Sequence, residues 1–541
     1  MGPSLNANKK INFSLTSLLK NDISIITIIY MLAHFLMLLN NGIFFDDWLY
    51  IDSDKSIMLD HFYQFGNIFL GYYFNLIFSL GNSVFIFRLL VFIAFLLSAI
   101  LLNETLETIK GIDHTSRLLL VLLFAIIPVN GLKIAISVSE YALCYFFFFL
   151  GLWLTSKYLM KRTIILRIAA LIFLFLSFFT NSFLVFYSVV LLYIGYKELK
   201  QISSASISRL AARYIDFIII PLLFWVLRTI FFQPHGFYMD YNSITVLNLI
   251  KFPFHLVYAI FNLLVELAII LRETLLILGL FLIALLPLTY ILIKSVYNHN
   301  QGNADMKFFL TGIILFLIGL FPYLVVGKIP GYYDWDCRHE LLLPLGLSFV
   351  LYFGFNIIAD LLKLNRIIKI VLLSVIIVFC ICSCVSNYLD CQKDDYKQLS
   401  LMEHFKSSEV MKNNTAFLFV DEARNLNARY RTYFFYEYLG MMVHVFNDET
   451  RFGSEPLPYS LANISNYQYL KRFKNRDYVE RSPQYVVIIE KGSYDIDYGE
   501  YYASLSHLIN LFRLMLDERF DRDRFNQNIR NVVKLDYEKI E

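Results

Sequence analysis

Apolar runs of about 18 residues or more recur along this chain from Ile23 to Val385, each long enough to cross the hydrocarbon core of a bilayer as a helix. That repetition leaves few architectures. In lipid every backbone N–H and C=O must be satisfied inside its own segment, so the runs fold as helices and pack as a bundle. Composition agrees: 17% of the 541 residues are charged and 58% are hydrophobic, whereas a soluble domain carries roughly a quarter charged residues. The net charge of +3 is spread over many loops and gives no basic face for nucleic acid.

The runs place spanning segments at 22–40, 83–102, 116–130, 134–156, 164–179, 182–196, 214–232, 274–293, 308–327, 339–358 and 367–386, about eleven in all. Lys9, Lys10 and Lys20 precede the first run, which has no small-residue cleavage site and reads as a retained helix. Segment 253–271 is apolar enough to span but contains Pro253, His255, Asn262 and Glu266. The charge bias of the loops treats it as re-entrant or as lying at the outer interface. With the N-terminus in the cytoplasm, the inner loops then hold Lys157, Lys161, Arg162, Arg167, Lys197, Lys200, Arg209, Arg213, Lys363, Arg366 and Lys369. The outer loops hold only Lys55, Lys133, Lys251, Arg272, Lys328 and Arg338. The expected organisation is a polytopic α-helical membrane domain over 1–387, whose first external loop is 41–82, and a small external α/β domain over 388–541.

Within that loop, 65–80 is aromatic and amphipathic and reads as an interfacial helix. In the C-terminal region Ala416–Val420 and Tyr485–Ile489 are short apolar runs bounded by polar or turn residues, and read as buried strands. Helices are expected at 429–440 and 500–517, and a charged helix or tail over 517–541. The region has no Gly-rich phosphate loop, no His-Glu metal helix and no nucleophile elbow. Cys380, Cys382 and Cys384 are too close along one helix to wrap a tetrahedral ion and read as packing residues; a Cys384–Cys391 disulfide is left open.

The residues that suggest chemistry start with Asp46-Asp47, just after the first apolar run. A charge pair kept beside lipid is costly, and mutual repulsion raises one pKa, which suits a general base or a cation site. The competing reading is that Asp47 caps the helix beginning at Trp48 and Asp46 is merely solvated; Asp52 and Asp54 make the loop generally acidic. Arg88 and Arg228 lie near the outer ends of their spans, and a guanidinium fork suits phosphate, the alternative being snorkelling to headgroups. Two loops complete the set: Gln233–Asn242, with His235 and Tyr238, and Gly331–Glu340, with Asp336, Arg338 and His339. Lys133, Glu140 and Asn181 also sit at outer helix ends and read as structural.

An acidic pair after one span, followed by an interfacial helix in the first external loop, resembles the integral-membrane glycosyltransferases of the GT-C superfamily. The resemblance covers roughly 20–390 in architecture, and Asp46-Asp47 is its one short motif. It implies a sugar donor carried on a polyprenyl phosphate, used at the external face of a bacterial inner membrane, with a glycan, lipid or protein as acceptor. One of Asp46 or Asp47 would be the base, attack at the anomeric carbon would invert it, and Arg88, Arg228 or Arg338 would balance the leaving phosphate. The second acidic motif of metal-bound members is not evident, which leaves a divalent metal open. A lipid-linked sugar flippase would put its charges at the midplane of repeated halves. A polysaccharide polymerase or ligase would use external arginines and a histidine, for which His235 and His339 stand. A non-catalytic receptor is the third alternative.

Overall fold

A computed structural model describes residues 21–51, 54–199, 203–239, 242–297, 304–331, 334–448, 450–455, 483–498 and 505–540. Among these, seven helical stretches are long and apolar enough to cross a membrane: Ser83–Leu106, Ile136–Lys161, Val246–Arg272, Ile277–Val296, Asp305–Leu324, Leu343–Leu361 and Arg366–Ser407. The pair Ala205–Arg213 and Ile215–Phe231 adds an eighth if its 62° bend is taken as one broken span. The segments expected at 22–40, 116–130, 164–179 and 182–196 contain the shorter helices Asp22–His34, His114–Ile126, Ile164–Ser177 and Ser188–Glu198. Side-chain caps mark several starts: the Asp113 carboxylate accepts from the Ser116 amide at 2.8 Å, and Asn365 Oδ1 from the Ile368 amide at 2.9 Å.

Burial separates the centre of the bundle from its edge. In Ile136–Lys161, 67% of the apolar window is buried, against 17% in Val246–Arg272. The second therefore shows Leu249, Phe254, Val257 and Phe261 outward, as a lipid-facing helix does. It is not a re-entrant hairpin. Residues 253–271 belong to one unbroken helix, Val246–Val296, that contains Pro253 and Pro287. Two parts of it, Val246–Arg272 and Ile277–Val296, are each long and apolar enough to cross a membrane.

The helix Ser139–Lys161 sets the height of the bundle. Its 23 residues rise about 35 Å. The Asp47 carboxylate lies at its beginning, bonded to the Ile136 and Ser137 amides. Near its other end Arg162 pairs with Glu198, and Arg167 with Asp216.

The expected interfacial helix is Ile68–Phe78, with Phe69, Tyr72 and Leu76 exposed. All six cysteines are free and buried, so no Cys384–Cys391 bridge forms.

The C-terminal sheet contains β1 (Ala416–Asp421), β2 (Phe452–Ser454), β3 (Tyr485–Lys491) and β4 (Val533–Lys539), in the order β2-β1-β3-β4. The first three are parallel, and β4 is antiparallel to β3, with Ile489 opposite Leu535. The helices Phe435–Phe446 and Leu505–Phe520 stand where 429–440 and 500–517 were expected. The charged end is not all helix or tail: 533–539 is an edge strand that buries Val533 and Leu535 and exposes Lys534, Glu538 and Lys539. Exposed charge on an edge strand discourages further pairing.

One helix joins the two regions. Arg366–Ser407 runs 42 residues without a break, straight through position 387. Its apolar half packs in the bundle, and its polar half is buried by the C-terminal region. There Lys397 donates to Asp421 at 2.6 and 2.7 Å and to Asn427 at 2.7 Å. Arg431 bonds Asp394 at 2.9 Å and both oxygens of Glu437 at 2.7 Å, all three side chains being fully buried.

Removing one member of a buried ion cluster leaves its partner charged and dry, at a cost of about 3–5 kcal/mol. Arg431→Ala is expected to destabilise the C-terminal region by that order, read as faster hydrogen exchange in β1 and in Phe435–Phe446 in the purified protein. Unchanged exchange there would show that Asp394 and Glu437 find other partners.

Candidate functional site

The two adjacent aspartates have different surroundings. Asp47 is fully buried. Its Oδ2 accepts from the Ile136 amide at 2.9 Å and the Phe44 amide at 3.3 Å, and its Oδ1 from the Ser137 amide at 2.8 Å. Burial pushes its pKa up to about 6, against the pull of those amides and of Arg88. It caps no helix: the turn Asp47–Tyr50 has Asp46 at its N-cap without a side-chain bond. Its oxygens instead fix the start of the span beginning at Ile136.

Asp46 is half-buried. Its Oδ1 accepts from the Tyr436 hydroxyl at 2.9 Å, and among the described residues its Oδ2 accepts nothing. Burial raises its pKa above the usual carboxylate range, while Arg338 and Tyr436 pull it back. A carboxylate with a raised pKa and an open oxygen can take a proton. Trp48 is 2% exposed and donates to Gln398 Oε1 at 3.0 Å. A Cβ at Gly440 would meet its ring at 2.7 Å, so only glycine lets the helix Phe435–Phe446 come this close.

Arg88 has a structural task. Its Nε donates to the Ile134 carbonyl at 3.1 Å, and its two terminal nitrogens to the carbonyls of Asn40 and Gly42. Three carbonyls use the guanidinium fork to hold the loop before Asp46, and the residue borders no cavity among those described.

Four of the other residues singled out in the sequence converge. Arg228, Tyr238, Arg338 and His339 line one cavity of about 760 Å³, within the range of sites that hold a cofactor-sized ligand. Its walls are aromatic, with Phe69, Phe175, Phe179, Phe224 and Phe232. Arg228 has no ion pair among the described residues. Arg338 lies over the Trp335 ring at 4.7 Å and donates Nε to His339 Nε2 at 3.3 Å. Lys328, marked in the sequence only by its charge, also lines the cavity and donates to Asn242 Oδ1 at 2.7 Å. Burial first, and Arg338 second, push its pKa down to about 7. The same two causes, with Lys328 added, push His339 down to about 2, so His339 is neutral at any physiological pH. Asp336 faces His339 at 3.6 Å and is mostly exposed. His235 lies outside the cavity lining, exposed, with its ring 4.7 Å from that of Tyr63.

Glu140, Asn67 and Asn181 line the same cavity. Their signal in the sequence was only a polar residue at the end of an apolar run. A second cavity, bordered by His34, Lys133 and Arg429, has about 30 Å³, room for water and not for a substrate. Among the described residues no group of three or more His, Cys, Asp or Glu side chains is placed to hold a metal ion. The arrangement puts Arg228, Lys328 and Arg338 in the lining of one aromatic cavity, which would attract an anion, and the half-buried Asp46 carboxylate, itself outside that lining, in the field of Arg338.

No protein-family model matches this chain, and no curated protein matches it either.

The two aspartates should separate on substitution. Asp47→Asn puts an amide N–H against a backbone N–H and loses charge-assisted bonds worth about 1.5–3 kcal/mol each. It is expected to lower the melting temperature of the purified protein clearly, while Asp46→Asn melts close to wild type. The reverse order would exchange their assigned roles.

Proposed function

We propose that this chain is an integral-membrane glycosyltransferase of the GT-C kind. It moves a sugar from a polyprenyl-phosphate carrier to a hydroxyl of a glycan, lipid or protein acceptor. The observation that carries this reading is the convergence of Arg228, Lys328 and Arg338 on one aromatic-walled cavity, with the open carboxylate of Asp46 in the field of Arg338. Arg338 and Lys328 repel each other, which after burial is the second cause of the depressed Lys328 pKa. A phosphate between them relieves that repulsion.

In the proposed step Asp46 takes the proton of the acceptor hydroxyl, and the acceptor oxygen attacks the anomeric carbon. The bond from that carbon to the carrier phosphate breaks, and the electron pair leaves on the phosphate. Attack opposite the leaving group inverts the centre. Arg338, Lys328 and Arg228 stabilise the charge that develops on the phosphate, the electrostatic work expected of a preorganised site. His339, neutral, serves as a hydrogen-bond acceptor for Arg338.

With 253–271 lying at the outer interface rather than crossing, the membrane arrangement follows the charge bias: N-terminus cytoplasmic, loop 41–82 and the C-terminal domain external, in a bacterial inner membrane. The ion pairs of Arg162 and Arg167 support it, since they lie about 35 Å along Ser139–Lys161 from the Asp47 end. A ligase reading built on two histidines has less support, because His235 lies outside the cavity lining.

The test compares surface glycans and lipid-linked sugars in a deletion strain, the wild type and an Asp46→Asn strain. The substituted strain is expected to match the deletion at normal protein level, losing one sugar and accumulating its carrier-linked form. Wild-type glycans in that strain would overturn the assignment of the base.

A second expectation concerns pH. With its pKa near 7, Lys328 is about nine-tenths charged at pH 6 and about one-tenth at pH 8. Binding of a polyprenyl phosphodiester, whose own charge is constant over that range, should weaken by up to about tenfold from pH 6 to pH 8. Lys328→Arg should flatten the profile. A flat wild-type profile would remove Lys328 from the phosphate site.

A further inference from the structure

The large cavity has a second polar region that phosphate binding leaves idle. Glu140 opens the helix Ser139–Lys161, is 6% exposed and lines the cavity; its side chain bonds Tyr141, and Arg338 is the cation in its field. A carboxyl group offers several hydrogen-bonding positions, of which Tyr141 takes one. Asn67, at the start of the helix Ile68–Phe78, is 5% exposed, and neither its Nδ2 nor its Oδ1 has a partner. Asn181, before the helix Ser182–Phe186, has an unpartnered Oδ1. Three separate elements thus bring unspent hydrogen-bonding groups to one cavity wall.

Buried polar groups in native proteins are nearly always paired, and leaving one alone is costly. The chemistry of this set selects its ligand. A phosphate diester only accepts, so it would leave the Asn181 oxygen unserved. A metal cation would serve the oxygens and leave the Asn67 Nδ2 donor alone. Hydroxyl groups both donate and accept, and a ring bearing several of them can serve all three residues at once. The Tyr141 and Phe179 side chains in the same lining add apolar surface for the C–H face of such a ring.

We propose that Glu140, Asn67 and Asn181 form the subsite that holds the polyhydroxylated sugar ring of the donor and sets which sugar is accepted. Glu140 accepts hydroxyl hydrogens, and the two asparagines orient the ring between it and the cations. The proposal deepens the transferase reading and rests on it.

The experiment measures dissociation constants of the full-length protein in nanodiscs. The probes are undecaprenyl phosphate and undecaprenyl phosphates bearing glucose, galactose, mannose or arabinose. A site built to bond hydroxyls discriminates strongly against a ligand that lacks them, so in the wild type at least one sugar-bearing lipid should bind about tenfold or more tighter than the bare carrier. Asn67→Ala and Glu140→Ala should each reduce that ratio to about threefold or less, and Glu140→Gln, which keeps an acceptor, should fall between. Asn181→Ala carries the same test if Glu140→Ala melts early. An unchanged ratio in Asn67→Ala and Glu140→Ala overturns the subsite, as does a wild type that prefers no sugar, while the phosphate site stands. Failure of the wild type to bind even the bare carrier overturns the transferase reading, and the subsite with it.

Discussion

The Arg431 guanidinium, held between Asp394 and Glu437, is the contact on which the arrangement of this protein depends. Asp394 belongs to the helix Arg366–Ser407, which comes out of the bundle, and Glu437 to the first turn of Phe435–Phe446. Arg431 lies between them in the chain, fully buried, with its charged face 4.2 Å from the Phe45 ring centroid. Glu437 also accepts from the amides of Phe434 and Phe45. Two regions that hydropathy separates thus share one dry ion cluster with the loop that contains the aspartate pair. Desolvating three ions offsets most of their attraction. The cluster's contribution is therefore best sought in register, since each charge has one place where it is satisfied.

From that cluster a chain of flat contacts leads to the cavity. Arg431 lies on Phe45, the Phe45 ring is 4.9 Å from that of Trp335, and Arg338 lies over Trp335 at 4.7 Å. Phe45 holds a backbone φ of +53°, unusual for a bulky residue and sustained only where neighbours over-determine it. Here Arg431, Glu437 and Trp335 do so. The position of Arg338 at the cavity rim is tied in this way to a salt bridge in the C-terminal region.

Much of the fold was legible because its signals are local. Apolar runs gave helices, and the runs at 416–420 and 485–489 gave β1 and β3. Strand β4 was not legible, because an edge strand shows charge on its exposed face and buries only Val533 and Leu535 among its first residues. The length of Arg366–Ser407 escaped for a related reason: its second half is polar and becomes interior only when the sheet covers it. Arg88 and Arg228 look alike in the sequence, a guanidinium near the end of an apolar run. One meets the carbonyls of Asn40, Gly42 and Ile134 and the other an aromatic cavity, and only tertiary structure decides which. Glu140 was passed over because a carboxylate at a helix start is ordinary; the cavity in front of it is made by four other segments of the chain.

Asp46 and Asp47 show why neighbours in sequence need not share a role. Consecutive residues in a tight turn point in different directions, so Asp47 meets the amides that begin the span at Ile136 and Asp46 meets the Tyr436 hydroxyl in the field of Arg338. Asp47 would keep its partners in an isolated bundle, since Phe44, Ile136 and Ser137 all belong to it. Asp46 would not, because its one hydrogen bond comes from Tyr436, at the start of a helix that Gly440 allows to rest on Trp48. The carboxylate proposed as base therefore takes its final position only when the C-terminal region has docked. That region helps to place the proposed base.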